Sequence, residues 1–226
     1  MNIFVIFYYR EKKQSRGGAL KVLNYSISGA EGAANANKII EILGLRTIFP
    51  LFMKTPKRAK RKGLSALEHE EHVISIIAGL LRHTTGSNRS RILIKFEENE
   101  FEKIERLGEL HFKYLEKMDR VDKEIKATEA ATRQKLDDDE KYLQRMDGGL
   151  FTLQQIDYII VEASVANPRV KDKVLKIVTL HGGSLSTVEK IVDEYSSNLG
   201  GDDNDDEEWT TKQQEHIAKL LKDFNS

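Results

Sequence analysis

A cluster of residues that could bind a metal lies in one short run of the sequence, His69-Glu70-Glu71-His72. A helical zinc hydrolase site needs two histidines four residues apart, a glutamate beside the first histidine and a third ligand elsewhere. The two histidines here are at positions 69 and 72, and no third ligand is evident downstream. Glutamates are also common in the exposed first turn of a helix, because the helix dipole favours negative charge there. The sequence therefore favours an ordinary helix start over a metal centre.

A dense basic run occupies residues 54–62, with the sequence KTPKRAKRK. Its proline and the glycine that follows it predict a loop. Two functions fit such a run, a nuclear-import signal or a patch that contacts nucleic-acid phosphates, and a solvated loop without a role fits equally well. The candidate residues of this basic patch are Lys57, Arg58, Lys60, Arg61 and Lys62.

A carboxylate stands out in residues 150–166, a segment that is apolar on most sides. Asp157 falls on the helix face shared by Leu153 and Ile160. A buried, unpaired charge costs several kcal/mol and is seldom kept. We therefore expect Asp157 at the rim of the protein or along a groove.

The remaining chemistry of the sequence argues against an enzyme. The chain has no cysteine, and its 6 histidines are scattered. No nucleophile elbow, phosphate-binding loop or paired-cysteine motif occurs. We expect no catalytic residue, no cofactor and no resident metal. With 36 basic and 36 acidic residues the formal net charge is zero, so any electrostatic partner must be recognised by a local patch.

The elements that must position these residues are predicted to be helices. Charged residues make up 32% of the 226 residues and there are only 3 prolines, a composition typical of long solvated helices. Residues 39–53 predict two helices joined at Gly44, the second bent at Pro50, and they are apolar nearly all round. Such a pair must be covered by neighbours on several sides, which is typical of stacked helical repeats.

Two further helices are predicted in the middle of the chain. Residues 65–82 begin with Ser65 and Glu68 in the spacing of a capping box. Residues 89–96 are short enough for a strand by composition, but the following residues continue them in helical register. A long helix is predicted from Asn99 past Ile125, with a seven-residue apolar repeat that favours packing within the chain over a coiled coil. Beyond it we expect a solvated helix end or a flexible acidic linker.

The C-terminal third predicts a compact series of helices. Residues 150–166 demand burial all round, Pro168 begins the next helix, and Ser184 is expected to cap another. Residues 200–208, GGDDNDDEE, are predicted to be an acidic linker. Residues 209–226 predict a final amphipathic helix that docks on the end of the stack. The expected organisation is therefore a leader (1–16), a helical repeat region (17–199), the linker (200–208) and a C-terminal helix (209–226).

Four runs of the sequence carry a family resemblance: ILGLRTIFPLFMKTP (42–56), EHEEHVISIIAGLLRH (68–83), LGELHFKYLEKM (107–118) and GGLFTLQQIDYI (148–159). They resemble the C-terminal part of the beta-catenin-like family of nuclear armadillo-type proteins, over about residues 18–224, whereas residues 1–16 resemble nothing in it. The resemblance implies an all-α, armadillo/HEAT-like right-handed α-solenoid fragment with a C-terminal capping helix.

The same resemblance implies a function and partners. The expected function is a non-enzymatic protein-interaction scaffold of the spliceosome-associated Prp-nineteen-type complex, acting in pre-mRNA splicing in the nucleus. Expected partners are the CDC5-like splicing factor and basic nuclear-import-type segments, with nucleic acid contacted only indirectly and no membrane. The resemblance carries over no individual binding residue. Asp157 and Glu162 are the predicted groove residues, because their helix is expected to line what remains of the groove. The alternative function is nucleic-acid binding through loop 54–62, and self-association is expected through residues 39–53 at an open end of the stack.

Overall fold

The computed structural model describes residues 13–56, 64–200 and 207–226, and all regular secondary structure in these ranges is helical. Short 3-10 turns at Ala30–Gly32 and Ile94–Phe96 join some of the helices. The α-helices in these ranges are α1 Lys13–Ser26, α2 Ala33–Glu41, α3 Leu45–Met53, α4 Ala66–His83, α5 Gly86–Leu93, α6 Glu98–Thr132, α7 Asp138–Gly148, α8 Leu150–Ala166, α9 Pro168–Leu180, α10 Leu185–Ser197 and α11 Glu207–Phe224.

Helix α8 lies at the centre of the molecule. Of its 17 residues, 14 are buried, and it packs against α4, α6, α7, α9, α10 and α11. A helix that is apolar on most sides has no face to give to solvent, so it becomes the shared core of its neighbours. The expectation of burial all round for residues 150–166 is confirmed.

The N-terminal helices stack on α4. Helix α1 packs along α4. Helices α2 and α3, which a tight joint connects, also contact α4. At this joint the Gly44 amide donates to the Ile39 carbonyl (2.8 Å) and the Leu43 amide donates to the Ile40 carbonyl (3.1 Å), while Leu43 has a left-handed φ of 63°. This is a Schellman ending of α2. The predicted helix pair around Gly44 is confirmed, and Ile40, Ile48, Phe49 and Phe52 are buried within it.

The middle of the chain follows its predicted helical register. Ser65 accepts a hydrogen bond from the Glu68 amide (3.1 Å), and Glu68 accepts one from the Ser65 amide (2.8 Å), which confirms the capping box of α4. The segment for which a strand was also considered forms α5 and a 3-10 turn. The seam of α6 is buried inside the chain rather than in a coiled coil, since α6 packs on α8 and α9.

Two predictions for the long helix and its end are corrected. Asn99, Glu100 and Phe101 have left-handed φ values of 53°, 55° and 66°, so regular α6 begins after them and not at Asn99. The acidic segment after α6 is not a plain linker, because α7 begins there. Asp137 caps α7 by accepting from the Glu140 amide (2.7 Å), and Glu140 accepts from the Asp137 amide (3.4 Å).

The C-terminal helix docks as predicted, beginning at Glu207 rather than at residue 209. Helix α11 packs on α8 and α10 and buries Ile217, Leu220, Leu221 and Phe224. Each such side chain contributes about 1.5–3 kcal/mol when it is fully removed from water. Ser184 occupies the N-cap position of α10 as predicted, but its side chain makes no capping hydrogen bond. The linker residues 201–206 lie outside the described ranges.

Candidate partner-binding groove

Asp157 does not lie on a groove. Its side chain is fully buried, and one carboxylate oxygen is 2.6 Å from Nδ1 of His111 on α6. Burial raises the pKa of Asp157 although the histidine opposes it. Burial alone would lower the pKa of His111, but the charge of Asp157 raises it overall. A rim or groove position was expected because burying an unpaired charge costs too much free energy. The buried partner His111 offsets this cost, so Asp157 can lie inside the protein.

Glu162 is also buried, with 1% of its surface exposed. It accepts hydrogen bonds from Arg89 on α5 and from the Tyr158 hydroxyl (2.6 Å), and it lies 2.9 Å from Nε2 of His216 on α11. Burial, followed by the charge of Glu162, raises the pKa of Tyr158 well above its usual value. Glu162 therefore holds three helices together and faces no groove. A role for either carboxylate in partner binding stays a prediction.

The histidine pair of α4 is likewise internal. His69 lies 3.1 Å from the Leu51 carbonyl, and His72 lies 3.4 Å from the Asn24 amide group. Both histidines are buried, so the expected exposed first turn is wrong at these positions. Within the described residues, no group of three histidine or carboxylate side chains is close enough to hold a metal ion. Burial lowers the pKa of His72.

The basic patch residues Lys57, Arg58, Lys60, Arg61 and Lys62 lie outside the described residues. The start of their loop is anchored at Thr55. The Thr55 hydroxyl donates to Glu70 on α4 (2.7 Å) and accepts from Arg106 on α6 (2.6 Å). Thr55 thus lies in a polar junction, where Lys113 also donates to Glu70 (2.6 Å).

An open groove lies between the end of α6, α7 and the end of α10. Its volume is about 630 Å³. Five acidic and three basic residues line it, which leaves an excess of two negative charges. Its lining residues are Asp122, Ile125, Lys126, Glu129, Asp138, Asp139, Lys141, Tyr142, Arg145, Glu194 and Asn198. We call this surface the acidic groove.

A reversal of the chain after α6 forms one wall of the acidic groove. Arg133 ends α6 with a left-handed φ of 56°, and α7 then runs back beside it. Glu129 fixes the reversal, since it accepts from the Leu136 amide (3.0 Å) and pairs with Lys141 (3.1 Å). The hydrogen bond from Lys141 is the main reason that the pKa of Glu129 is lowered. The carboxylate therefore stays ionised in this wall.

The opposite wall of the acidic groove joins α7 to α10. Arg145 of α7 makes an ion pair with Glu194 of α10 and lies 3.4 Å from Asp122 of α6. Asp139 has no ion-pair partner within the described ranges, and the only one for Asp138 is Lys141 at 3.9 Å. The side chain of Asp138 is fully exposed. These two carboxylates are available to a cationic partner, whereas Glu129 and Glu194 already have one.

This arrangement was not readable from sequence spacing. One signal was available, the capping box of Asp137 and Glu140, which marks the start of α7 in a polar stretch without apolar periodicity. Glu194 and Asn198 lie far along the chain from α7, and the ion pair between Arg145 and Glu194 brings the end of α10 to the groove. No local pattern connects residues at such separations.

The fold defines a class: an all-α solenoid of stacked helices. The family model described as "Catenin-beta-like, Arm-motif containing nuclear" matches residues 3–193. The chain belongs to this family. Similar proteins are named Beta-catenin-like protein 1, at 47% identity in Rattus norvegicus and 46% in Homo sapiens, each over 222 residues. A Schizosaccharomyces pombe protein named Beta-catenin-like protein 1 homolog is 30% identical over 178 residues.

The matches differ in how much of each protein they cover. The rat and human alignments cover 95% of this chain but 39% of those proteins, and the yeast alignment covers 74% and 29%. The family match begins at residue 3, so the expectation that residues 1–16 resemble nothing in the family is wrong. No helix in the described ranges combines the length and apolar character needed to cross a membrane.

Proposed function

We propose that this chain is a non-enzymatic protein-interaction scaffold that acts in pre-mRNA splicing, as part of the spliceosome-associated Prp-nineteen-type complex. Support comes from membership in a family described as nuclear and Arm-motif containing, and from relatives named Beta-catenin-like protein 1. The nucleus is the compartment that this family description supports. The CDC5-like splicing factor is the proposed protein partner.

The acidic groove is the observation that supports partner binding best. Its volume of about 630 Å³ can hold several side chains of a peptide, since ligand sites commonly measure about 300–1,000 Å³. Its excess of negative charge fits a segment rich in lysine and arginine. Tyr142 contributes apolar surface for the methylene stems of such side chains. We propose that basic nuclear-import-type segments bind here, with Asp138 and Asp139 as their first contacts.

A charge-reversal experiment tests the groove. A short fluorescent lysine- and arginine-rich peptide of the nuclear-import type is titrated with the chain, and its anisotropy is measured. The double variant Asp138→Lys/Asp139→Lys should weaken binding at least about tenfold, because it reverses the excess charge of the groove. The matched control is Glu215→Lys/Asp223→Lys, which makes the same change at exposed positions of α11. Equal affinity for the two double variants would contradict the proposal.

The alternative function is nucleic-acid binding through loop 54–62, which the density of its basic residues favours. Binding to phosphates weakens by orders of magnitude as salt rises several-fold. Replacing Lys57, Arg58, Lys60, Arg61 and Lys62 by glutamine should abolish binding of a labelled single-stranded RNA if this function is correct. Binding of the basic peptide in the acidic groove should survive the same replacement. The glutamine variant therefore distinguishes the two functions, because it should lose RNA binding and keep peptide binding.

A further inference from the structure

A second groove lies between the α2–α3 joint and the end of α5, and shares no lining residue with the acidic groove. Its volume is about 260 Å³. This is below the usual range for small-molecule sites and suits one anchoring side chain of a peptide. Its lining residues are Leu43, Leu45, Arg46, Arg91, Ile94, Lys95 and Glu98. We call this surface the basic groove.

Two aliphatic side chains of the basic groove are exposed to solvent. Leu43 is 47% exposed and Ile94 is 54% exposed, whereas Leu45 is buried below them. Isolated exposed aliphatic residues are common, but two that line one cavity place exposed apolar surface together at one site. A partner side chain that enters the cavity would remove both from water.

The conformation of Leu43 is a second observation. Its φ of 63° lies in the left-handed region, which glycine adopts without strain and leucine does not. Its side chain contributes little to the core, since it is half exposed. A glycine at this position would therefore end the helix with less backbone strain. A strained residue with an exposed apolar side chain is an observation from which a binding role can be inferred.

The basic groove has an excess of positive charge, since three basic residues and one acidic residue line it. Arg46 and Arg91 are exposed, and neither has an ion-pair partner in residues 13–56, 64–200 and 207–226. Lys95 donates to Glu98 (2.6 Å), and Glu98 also lies 3.7 Å from Lys103. The only carboxylate of the lining is thus already shared by two lysines. An incoming carboxylate would meet two free guanidinium groups, which bind carboxylates in a two-pronged geometry.

We propose that the basic groove docks a short acidic peptide segment of a partner protein, with an aliphatic side chain of that segment between Leu43 and Ile94 and its carboxylates on Arg46 and Arg91. A protein segment fits better than RNA, because the exposed leucine and isoleucine offer nothing to a phosphate backbone. The inference is independent of the acidic groove, which selects the opposite charge. One chain could then bridge two partner segments of opposite character.

Peptide titration tests this proposal. The probe is a short fluorescent peptide with a central leucine flanked by aspartates and glutamates, and anisotropy measures its binding. We expect saturable binding that falls at least about tenfold in Arg46→Glu/Arg91→Glu. The matched control Lys190→Glu/Lys219→Glu, at exposed positions of α10 and α11, should bind as the parent chain does. A peptide with serine in place of the leucine should bind more weakly.

A glycine substitution separates docking from stability. Leu43→Gly should raise Tm by about 2 °C, because it relieves the left-handed leucine. The same variant should lose at least about fivefold in affinity for the acidic peptide, because it removes one wall of the cavity. A purely structural role would move Tm and leave affinity unchanged.

Four results would overturn the proposal. The first two are absence of peptide binding and an equal loss of binding in the control variant. The third is tighter binding of a single-stranded RNA than of the peptide. The fourth is a dimer, detected by light scattering, that is lost in Arg46→Glu/Arg91→Glu. The last two would assign the basic groove to RNA or to a second copy of the chain.

Discussion

At the level of single residues, each buried carboxylate of α8 is paired with a side chain from another helix. Asp157 takes its partner from α6, and Glu162 takes partners from α5 and α11. The residues of the His111–Asp157 pair are 46 positions apart in sequence. Sequence spacing identified Asp157 as a costly charge, but it carries no information about a partner on another helix. Burial and pairing were therefore decided by packing.

The His111–Asp157 pair predicts a pH dependence of stability. The pKa values of both groups are raised in the folded chain, so the folded state binds more protons than the unfolded state. The contribution of His111 is fully present below its unfolded pKa of 6.5 and is lost as pH rises through its higher folded pKa. We expect the free energy of unfolding, measured with urea, to decrease from pH 6.5 upward.

The double variant His111→Leu/Asp157→Leu is the control for this pH dependence. It removes both charges, so it should be close to neutral in stability and should lack this part of the pH dependence. His111→Leu alone should cost about 3–5 kcal/mol, because it leaves a buried carboxylate without its partner. His72 and His83, whose pKa values are lowered by burial, stay unchanged in both variants and cancel in the comparison. An identical pH profile for parent and double variant would contradict the prediction.

At the level of elements, the helices with strong apolar periodicity were predicted and the irregular turns were not. Helices α4 and α11 bury the apolar stripes that the sequence indicated, and α8 is buried on nearly all sides as expected. The left-handed turn at Asn99, Glu100 and Phe101 contains no glycine, and only Asn99 is of a residue type that often adopts this conformation. Surrounding structure must hold it, and Arg169 of α9 lies over the Phe101 ring at 5.5 Å. Such turns are decided by tertiary contacts.

The two serines at helix starts predict different costs of removal. Ser65 accepts from an amide of α4, whereas Ser184 makes no capping bond to α10. Ser65→Ala should lower the free energy of unfolding by about 1 kcal/mol, since an N-terminal amide loses its acceptor. Ser184→Ala should change it by less than about 0.5 kcal/mol. Urea denaturation of the two variants measures the difference, and equal costs would show that the capping bond of Ser65 contributes nothing.

At the scale of the whole molecule, two grooves of opposite charge are distributed over a chain whose formal net charge is zero. The all-α solenoid was predicted from helical periodicity and family resemblance, and recognition of partners by local patches stays a prediction. The acidic groove was not predicted, because it requires the end of α10 to pair with α7. Solenoids create such surfaces by stacking successive units, so their binding sites belong to the stack and not to any one helix.

The N-terminal side of the stack predicts self-association, although not through the residues first expected. Residues 39–53 are largely covered, but Val22 and Tyr25 on one face of α1 are 54% and 73% exposed. Burying this face against a second copy would gain about 25 cal/mol per Å² of apolar surface. Light scattering should therefore show an average mass that rises with concentration, and Val22→Glu/Tyr25→Glu should suppress the rise. Leu180→Glu, at an 83% exposed position of α9, is the matched control and should leave it unchanged. A monomer at every concentration would exclude association through α1.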